Sequence, residues 1–137
     1  GTISGTPLAG ADGTTNHSFT VTDSTAPINQ TDNRQLSLTI NPTPPPLAIT
    51  FPTGGRLQDA REDEPYSQTL RASGGTPPYT WSVSPALPSW LQLDPTTGAL
   101  TGTPPNDNDF TRTYTVRDAT LPTTLTDSRS ISLRIRS

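Results

Sequence analysis

The side chains best suited to chemistry in this chain are two acidic clusters. Glu62-Asp63-Glu64 precedes Pro65, and Asn106-Asp107-Asn108-Asp109 follows Pro105. A glycosidase needs two carboxylates about 5–9.5 Å apart across a cleft, and no sequence pattern here predicts a cleft. Clustered Asp, Asn and Glu side chains on adjoining loops can instead supply the six to eight oxygens that calcium prefers. The alternative interpretation is that these charges belong to solvated loops.

Nucleophilic catalysis and nucleotide binding are not predicted. His17 is the only histidine, and we expect it to be an ordinary strand-face residue. The sequence contains neither a Gly-x-Ser-x-Gly elbow nor a glycine-rich phosphate-binding motif. Cysteine and lysine are both absent, which excludes disulfides, thiolate metal sites and lysine nucleophiles. We therefore expect a protein that is not an enzyme and that has no cofactor, with calcium as the exception to test.

The composition favours strands and turns. The 137 residues include 16 prolines and 10 glycines, and only 28% are apolar. This composition disfavours a helical protein. The formal net charge of −3 argues against a nucleic-acid partner, because binding phosphates requires a basic surface. No apolar run approaches the roughly 20 residues that span a bilayer. We expect neither nucleic-acid binding nor membrane insertion in this fragment.

Residues 75–104 contain the clearest strand and turn pattern. Tyr79, Trp81 and Val83 share one parity, so a strand here would bury these three side chains on one face. The stretch Asp94-Pro95-Thr96-Thr97-Gly98 predicts a chain reversal, with the glycine in the left-handed conformation. Trp90 is out of phase with its apolar neighbours, which makes it a candidate exposed platform for a sugar. The alternative is that Trp90 covers the end of the core.

Three motifs in this region resemble a known family. They are Gly-Gly-Thr-Pro-Pro-Tyr-Thr-Trp, Leu-Pro-Ser-Trp-Leu-Gln-Leu-Asp-Pro-Thr-Thr-Gly and Leu-Thr-Gly-Thr-Pro. Together they resemble the He-PIG immunoglobulin-like (Ig-like) repeats and the related dystroglycan-type cadherin-like repeats. The resemblance runs from about Leu47 to Ile135. It implies a sandwich domain of the kind strung in tandem on extracellular or cell-surface proteins, chiefly bacterial ones.

The resemblance also implies a set of metal ligands. In the cadherin-like relatives, calcium is bound by acidic residues near the first strands, after Gly-Thr-Pro and at the end of the penultimate strand. An Asp-x-Asp-Gly-Asp stretch and an Asp-x-Asn-Asp-Asn linker motif of those relatives are missing here. The positions that match are Glu62, Glu64, Asp107, Asp109 and Asp118.

The beginning of the chain repeats its end. Phe19-Thr20-Val21-Thr22-Asp23 matches Tyr114-Thr115-Val116-Arg117-Asp118, and the offset of 95 continues from Thr25 to Ile40. Further upstream, Gly1–Pro7 matches Gly98–Pro104 after a two-residue gap. Such a period is typical of a tandem array.

The repeat predicts the domain organisation. Residues 1–42 are the C-terminal half of a first Ig-like repeat, residues 43–46 are a proline-rich linker, and residues 47–137 are a complete repeat. A half sandwich leaves an apolar face and strand edges open. We therefore expect the half repeat to be completed by another chain, through strand exchange or by a separate fragment.

The fold class that follows is an all-β, Ig-like or cadherin-like β-sandwich. Alternation in the complete repeat predicts seven strands: Leu47–Phe51, Gln68–Ser73, Tyr79–Ser84, Leu91–Leu93, Ala99–Thr101, Arg112–Arg117 and Ser130–Arg136. The predicted core consists of Leu47, Ile49, Leu70, Ala72, Tyr79, Trp81, Val83, Leu91, Leu93, Leu100, Tyr114, Val116, Ile131, Leu133 and Ile135.

These observations favour a non-enzymatic spacer or adhesion module from a tandem-repeat secreted or cell-surface protein, with neighbouring repeats as its partners. Two other functions stay open. One is a carbohydrate-binding accessory module of an extracellular enzyme, with Trp90 as the ligand-contacting residue. The other is a cadherin-like adhesin repeat stiffened by calcium.

Overall fold

A computed structural model describes residues 1–8 and 10–137 of the chain. In these residues the regular secondary structure consists entirely of strands, which confirms the all-β prediction. The chain divides into two compact units, Gly1–Thr43 (unit 1) and Pro44–Ser137 (unit 2). Within the described ranges, no helix is long and apolar enough to cross a membrane.

Unit 1 is built around one antiparallel hairpin. Strand β1 (Gly13–Thr22) pairs with β2 (Thr31–Ile40) in an unbroken register from Gly13↔Ile40 to Thr22↔Thr31. Because strand side chains alternate between faces, one face carries threonine, serine, asparagine and glutamine. The other face carries the larger apolar side chains, Phe19, Val21, Leu36 and Leu38, and also the polar side chains of His17, Asp32 and Arg34.

Unit 2 contains ten strands in its described residues, grouped into several small sheets. The sheet orders are β11-β10-β7, β5-β9-β8, β3-β6 and β12-β4. Every pair is antiparallel except β12 with β4. The strands are β3 (Ala48–Phe51), β4 (Ala60–Arg61), β5 (Tyr66–Thr69), β6 (Arg71–Ser73), β7 (Thr80–Ser84), β8 (Leu91–Leu93), β9 (Ala99–Gly102), β10 (Phe110–Arg117), β11 (Thr126–Leu133) and β12 (Ile135–Arg136).

Two of the predicted strands are each divided in the structure. The segment predicted over residues 68–73 breaks at Leu70, because β5 pairs with β9 whereas β6 pairs with β3. The segment predicted over residues 130–136 breaks at Arg134, because β11 pairs with β10 whereas β12 pairs with β4. At each break the chain crosses from one sheet to another.

The core of unit 2 contains most of the predicted residues. Ala72, Tyr79, Val83 and Leu93 are only partly buried and pack against it. Leu57, Ala60 and Tyr66 are buried although their segment has no alternating pattern. The buried apolar residues are Leu47, Ile49, Leu57, Ala60, Tyr66, Leu70, Trp81, Leu91, Leu100, Tyr114, Val116, Ile131, Leu133 and Ile135.

The turn before β9 lies against the buried indole of Trp81. Asp94 Oδ1 accepts backbone N–H bonds from Thr96 (2.8 Å) and Thr97 (3.1 Å), which fixes the reversal. Gly98 has a φ of +74°, the left-handed conformation predicted for it. A Cβ atom at Gly98 would lie 2.9 Å from Trp81 Nε1 and 3.0 Å from the carbonyl oxygen of Leu70.

Replacing Gly98 with alanine should therefore destabilise unit 2. The left-handed φ disfavours any Cβ, and the methyl group would press on a buried ring and on backbone, so we expect a loss of about 1–3 kcal/mol. Urea unfolding followed by circular dichroism measures it. Gly54→Ala is the matched control, because a Cβ there meets nothing within 4 Å. Equal stability of the two variants would contradict the prediction.

Candidate functional site

The candidate residues of unit 2 lie at the two ends of strand β10. Asp109 immediately precedes β10 and Asp118 immediately follows it. Eight residues of extended strand span about 26 Å at 3.3 Å per residue. The two ends of the sandwich are therefore separate sites.

Asp118 is buried and has all of its acceptor positions occupied. Its Oδ1 accepts the backbone N–H groups of Thr120 (3.2 Å) and Leu125 (2.6 Å). Its Oδ2 accepts the backbone N–H of Thr76 (2.8 Å) and the hydroxyl of Thr120. A carboxylate has about four acceptor sites, so this one side chain closes the loop after β10 and ties it to residues 75–76.

These bonds keep Asp118 ionised. Burial by itself raises the pKa of the carboxyl group, but hydrogen bonds from Thr120, Thr76 and Leu125 favour the charged form more strongly. The net effect lowers the pKa of Asp118 from 3.8 to about 2. The loop thus depends on a negative charge that is present throughout the neutral range.

The other end of β10 brings two loops together. Asp63 donates its backbone N–H to the carbonyl of Pro104 (2.9 Å), which places the Glu62–Glu64 loop beside the segment leading to Asp107. Asp109 Oδ1 accepts the backbone N–H of Ile135 (2.8 Å), and Arg134 Nε lies 3.7 Å from its Oδ2. Glu64, Asp107 and Asp109 are exposed, and Glu62 is half-buried.

The five side chains that the resemblance implies as calcium ligands do not converge. Asp118 lies at the far end of β10 from the other four, and its oxygens are fully used by hydrogen bonds. Among residues 1–8 and 10–137, no group of three or more His, Cys, Asp or Glu side chains is placed to hold a metal ion. The donor set therefore does not fit a single calcium site that includes Asp118. Calcium binding by Glu62, Glu64, Asp107 and Asp109 stays a prediction of the resemblance.

Thermal melting tests calcium binding directly. Because no three acidic side chains come together among the described residues and Asp118 has no free acceptor, we expect the same melting temperature in millimolar calcium and in chelator. A ligand that binds only the folded state must raise the melting temperature. A rise that disappears in Asp107→Asn would show that the exposed loops bind calcium.

Trp90 is half-buried and packs against the core, as in the alternative interpretation of its parity. Its ring meets Phe110 edge-on, with the centroids 6.1 Å apart and an interplanar angle of 71°. The guanidinium carbon of Arg112 lies 5.2 Å from the centre of the Phe110 ring. The indole packs against the core at this end of the sandwich. Only the part of the ring that stays exposed could contact a ligand.

Two polar residues of β11 bond to the first strand of unit 2 and to the residue that follows it, a role that the sequence motifs did not reveal. Asp127 Oδ2 accepts the backbone N–H of Ile49 (2.7 Å), and Arg129 donates to the carbonyl of Pro52 (3.1 Å). A signal was nevertheless present, because Asp and Arg recur at the same positions in unit 1.

The first and last residues of unit 2 lie near opposite ends of β10. The carbonyl of Pro45 accepts the backbone N–H of Gly75 (2.7 Å), next to the Thr76–Asp118 bond. Strand β12 lies at the opposite end, where Ile135 is bonded to Asp109. The ends of unit 2 are therefore separated by the length of β10.

The comparisons with known proteins identify the domain type. The family described as "Putative Ig domain" (He_PIG) matches residues 53–136. No curated protein matches the chain.

Among solved structures, extracellular cadherin domains 3–6 of Protocadherin Gamma B2 align with a TM-score of 0.62 at 14% identity, over 90% of this chain and 33% of that one. A Bacteroides fragilis protein described as a "putative alpha-galactosidase" aligns with a TM-score of 0.55 at 24% identity, over 66% of this chain and 17% of its own. This chain thus spans a third or less of these proteins, and at such identities the likeness concerns the fold alone.

Proposed function

Because the chain belongs to the He-PIG family of Ig domains, we propose that it is a non-enzymatic spacer or adhesion module. It adds length within a tandem array on a secreted or cell-surface protein of bacterial type. Its partners are the neighbouring repeats of the same array.

One observation carries this proposal. Pro45 contacts the end of the sandwich that holds Asp118, and Ile135 lies at the end that holds Asp109. A module whose two termini are about 26 Å apart along one strand extends an array with every copy. A module whose termini lay side by side would not.

The internal repetition supports the same function. The hairpin of β1 and β2 has the register of β10 and β11, with Val21 opposite Asp32 as Val116 is opposite Asp127. The offset is 95 residues in both strands (116 − 21 = 95; 127 − 32 = 95). One sequence period thus encodes one structural period, as in repeat proteins whose units act as segments of a longer body.

Arrays of increasing length test the spacer function. One or two further copies of residues 43–137 are joined to the full chain, and the maximum dimension is measured by small-angle X-ray scattering. We expect an increase of about 26 Å or more for each added copy. A maximum dimension that does not grow would overturn the proposal, and so would turnover of a glycoside, ester or peptide substrate by the full chain.

Carbohydrate binding is the second candidate function. The observations that favour it are the partial exposure of Trp90 and the fold likeness to part of a protein described as a "putative alpha-galactosidase". An accessory module of this kind would hold a polysaccharide beside an enzyme. Binding to a glycan array that is lost in Trp90→Ala but kept in Gln92→Ala, on the exposed face of β8, would favour it over a spacer.

A further inference from the structure

The apolar face of the unit-1 hairpin is uncovered. Phe19, Val21, Leu36 and Leu38, here called the unit-1 face, are 40% to 66% exposed. Their counterparts in unit 2, at the offset of 95, are only 0% to 1% exposed. Those counterparts are Tyr114, Val116, Ile131 and Leu133.

Unit 2 shows what covers this face when a repeat is complete. Strand β7 pairs with the outer edge of β10, with Trp81 opposite Val116 and Val83 opposite Tyr114. Strand β7 belongs to residues 44–97, the amino-terminal half of the repeat, and that half contains Leu47, Ile49, Leu70 and Leu91 of the core. Residues 1–43 contain no such half, and among the described residues of unit 1 no strand pairs with the outer edge of β1.

The polar groups that bind the amino-terminal half in unit 2 are also present in unit 1. Asp118, Asp127 and Arg129 bond to the backbone of Thr76, Ile49 and Pro52, respectively. The residues that occupy their positions in unit 1 are Asp23, Asp32 and Arg34. The hairpin therefore carries both the apolar side chains and the three polar side chains that contact the amino-terminal half in a complete repeat.

Asp23 is already arranged as Asp118 is. Its Oδ1 accepts the backbone N–H groups of Gln30 (2.7 Å) and Thr25 (3.2 Å), and its Oδ2 accepts the hydroxyl of Thr25. The bond that Asp118 adds to these is the one from the backbone of Thr76. Asp23 Oδ2 thus presents an acceptor position where the amino-terminal half would place an N–H group.

The first residues of unit 1 point the same way. Gly1–Pro7 matches Gly98–Pro104, yet it forms no strand, whereas Ala99–Gly102 is strand β9. Strand β9 is paired on both sides, with β5 and β8, and both partners belong to the amino-terminal half. The same motif is a strand only where that half is present.

We propose that the unit-1 face is a docking site for an amino-terminal half-repeat supplied from outside residues 1–137. The occupant has the sequence type of residues 44–97 and adds its Tyr-x-Trp strand to the open edge of β1. Its tryptophan lies opposite Val21, and the backbone N–H of its Gly-Thr-Pro threonine binds Asp23. The proposal rests on the Ig-repeat organisation and is separate from the spacer function.

A second copy of residues 1–137 does not cover the unit-1 face. These residues include two carboxyl-terminal halves, residues 1–42 and residues 98–137, but only one amino-terminal half. Exchange of residues 44–97 between two copies covers one face and uncovers another. The expected strand exchange between copies therefore leaves the exposed apolar area unchanged, and the occupant must bring an additional half.

The test compares the 137-residue chain with an extended chain in which residues 44–97 are placed directly before Gly1. Hydrogen exchange of β1 and β2 is measured by mass spectrometry. We expect exchange at least about tenfold slower in the extended chain, because covered strands open less often. Val21→Asp in the extended chain should remove that protection, whereas Thr20→Asp, on the polar face of the same strand, should keep it.

A second measurement keeps the proposal testable if the extended chain does not fold. A synthetic peptide of residues 73–84 is titrated into the isotope-labelled 137-residue chain, and amide shifts are followed by nuclear magnetic resonance. Shifts at residues 19–23, lost with the Trp81→Ala peptide, support the proposal. Two outcomes overturn it: no response in either measurement, or a dimer of the 137-residue chain that Val21→Asp dissociates, which would make a second hairpin the occupant.

Discussion

Replacing Trp81 with alanine should lower the free energy of unfolding of unit 2 by about 3–5 kcal/mol. The indole is 4% exposed and lies opposite Val116 in the β7–β10 pair, so its removal leaves a cavity in the middle of the core. Small domains are stable by only about 5–15 kcal/mol in total. The variant should therefore be partly unfolded near physiological temperature, which urea titration of the full chain at several temperatures would reveal.

The control for this prediction is the other tryptophan. Trp90 is half-buried and contacts Phe110 at the end of the core, so Trp90→Ala should cost less than Trp81→Ala. Trp81→Phe should recover part of the loss, because the phenyl ring refills part of the cavity. If Trp81→Ala costs no more than Trp90→Ala, the sandwich is not packed around Trp81.

Replacing Asp118 with asparagine should destabilise unit 2 and flatten the response of its stability to acid. An amide has a single acceptor oxygen, and its NH2 group takes the place of the other carboxylate oxygen, so at least one backbone N–H group loses its acceptor. We expect the melting temperature at neutral pH to fall by about 5 °C or more. Thermal melting of both proteins between pH 7 and pH 2 measures the two effects together.

The sign of the acid effect follows from the direction of the pKa shift. The pKa of Asp118 is about 2 in the folded chain and 3.8 ordinarily, so the unfolded chain takes up the proton first. The stabilisation is complete above pH 3.8 and is lost as the pH falls towards 2. Asp107→Asn, at an exposed loop position, is the matched control. Parallel acid profiles for the wild type and Asp118→Asn would contradict the role assigned to this carboxylate.

Other carboxylates will leave a residual acid response in the variant. The pKa of Asp94 is lowered by the backbone N–H groups of Thr96 and Thr97. Bonds from Thr25 and Gln30 lower the pKa of Asp23. The test therefore depends on the difference between the acid profiles of the wild type and Asp118→Asn. It does not require the variant's stability to be independent of pH.

The strand positions could be predicted because a strand with one buried face shows a local alternation of apolar and polar residues. Tyr79, Trp81 and Val83 alternate with polar residues, and β7 is found there with Trp81 inside. The crossing from one sheet to another at Leu70 could not be predicted, since an alternating run looks the same whichever strand it pairs with. The burial of Leu57 and Ala60 could not be predicted either, because the segment around them has no alternating pattern.

The candidate sites were less predictable than the fold. The motif identified Asp118 as a notable residue, but its bonding partners are mostly backbone N–H groups, which leave no trace in a sequence. The threonine two residues later is the one visible sign, and it recurs as Thr25 after Asp23. The recurrence of this Asp and Thr pair in both copies favours a structural role for Asp118 over metal binding.

The hydrogen bonds that hold the last strands of unit 2 have a mechanical consequence. The segment from Gly55 to Glu62 runs beside the last strands and is joined to them by backbone hydrogen bonds at Leu57, Ala60, Glu62 and Ser132. Tension applied along the chain would load these bonds together, in shear, and would not peel them apart one by one. In the proposed array, the geometry by which a copy would add length would also resist extension.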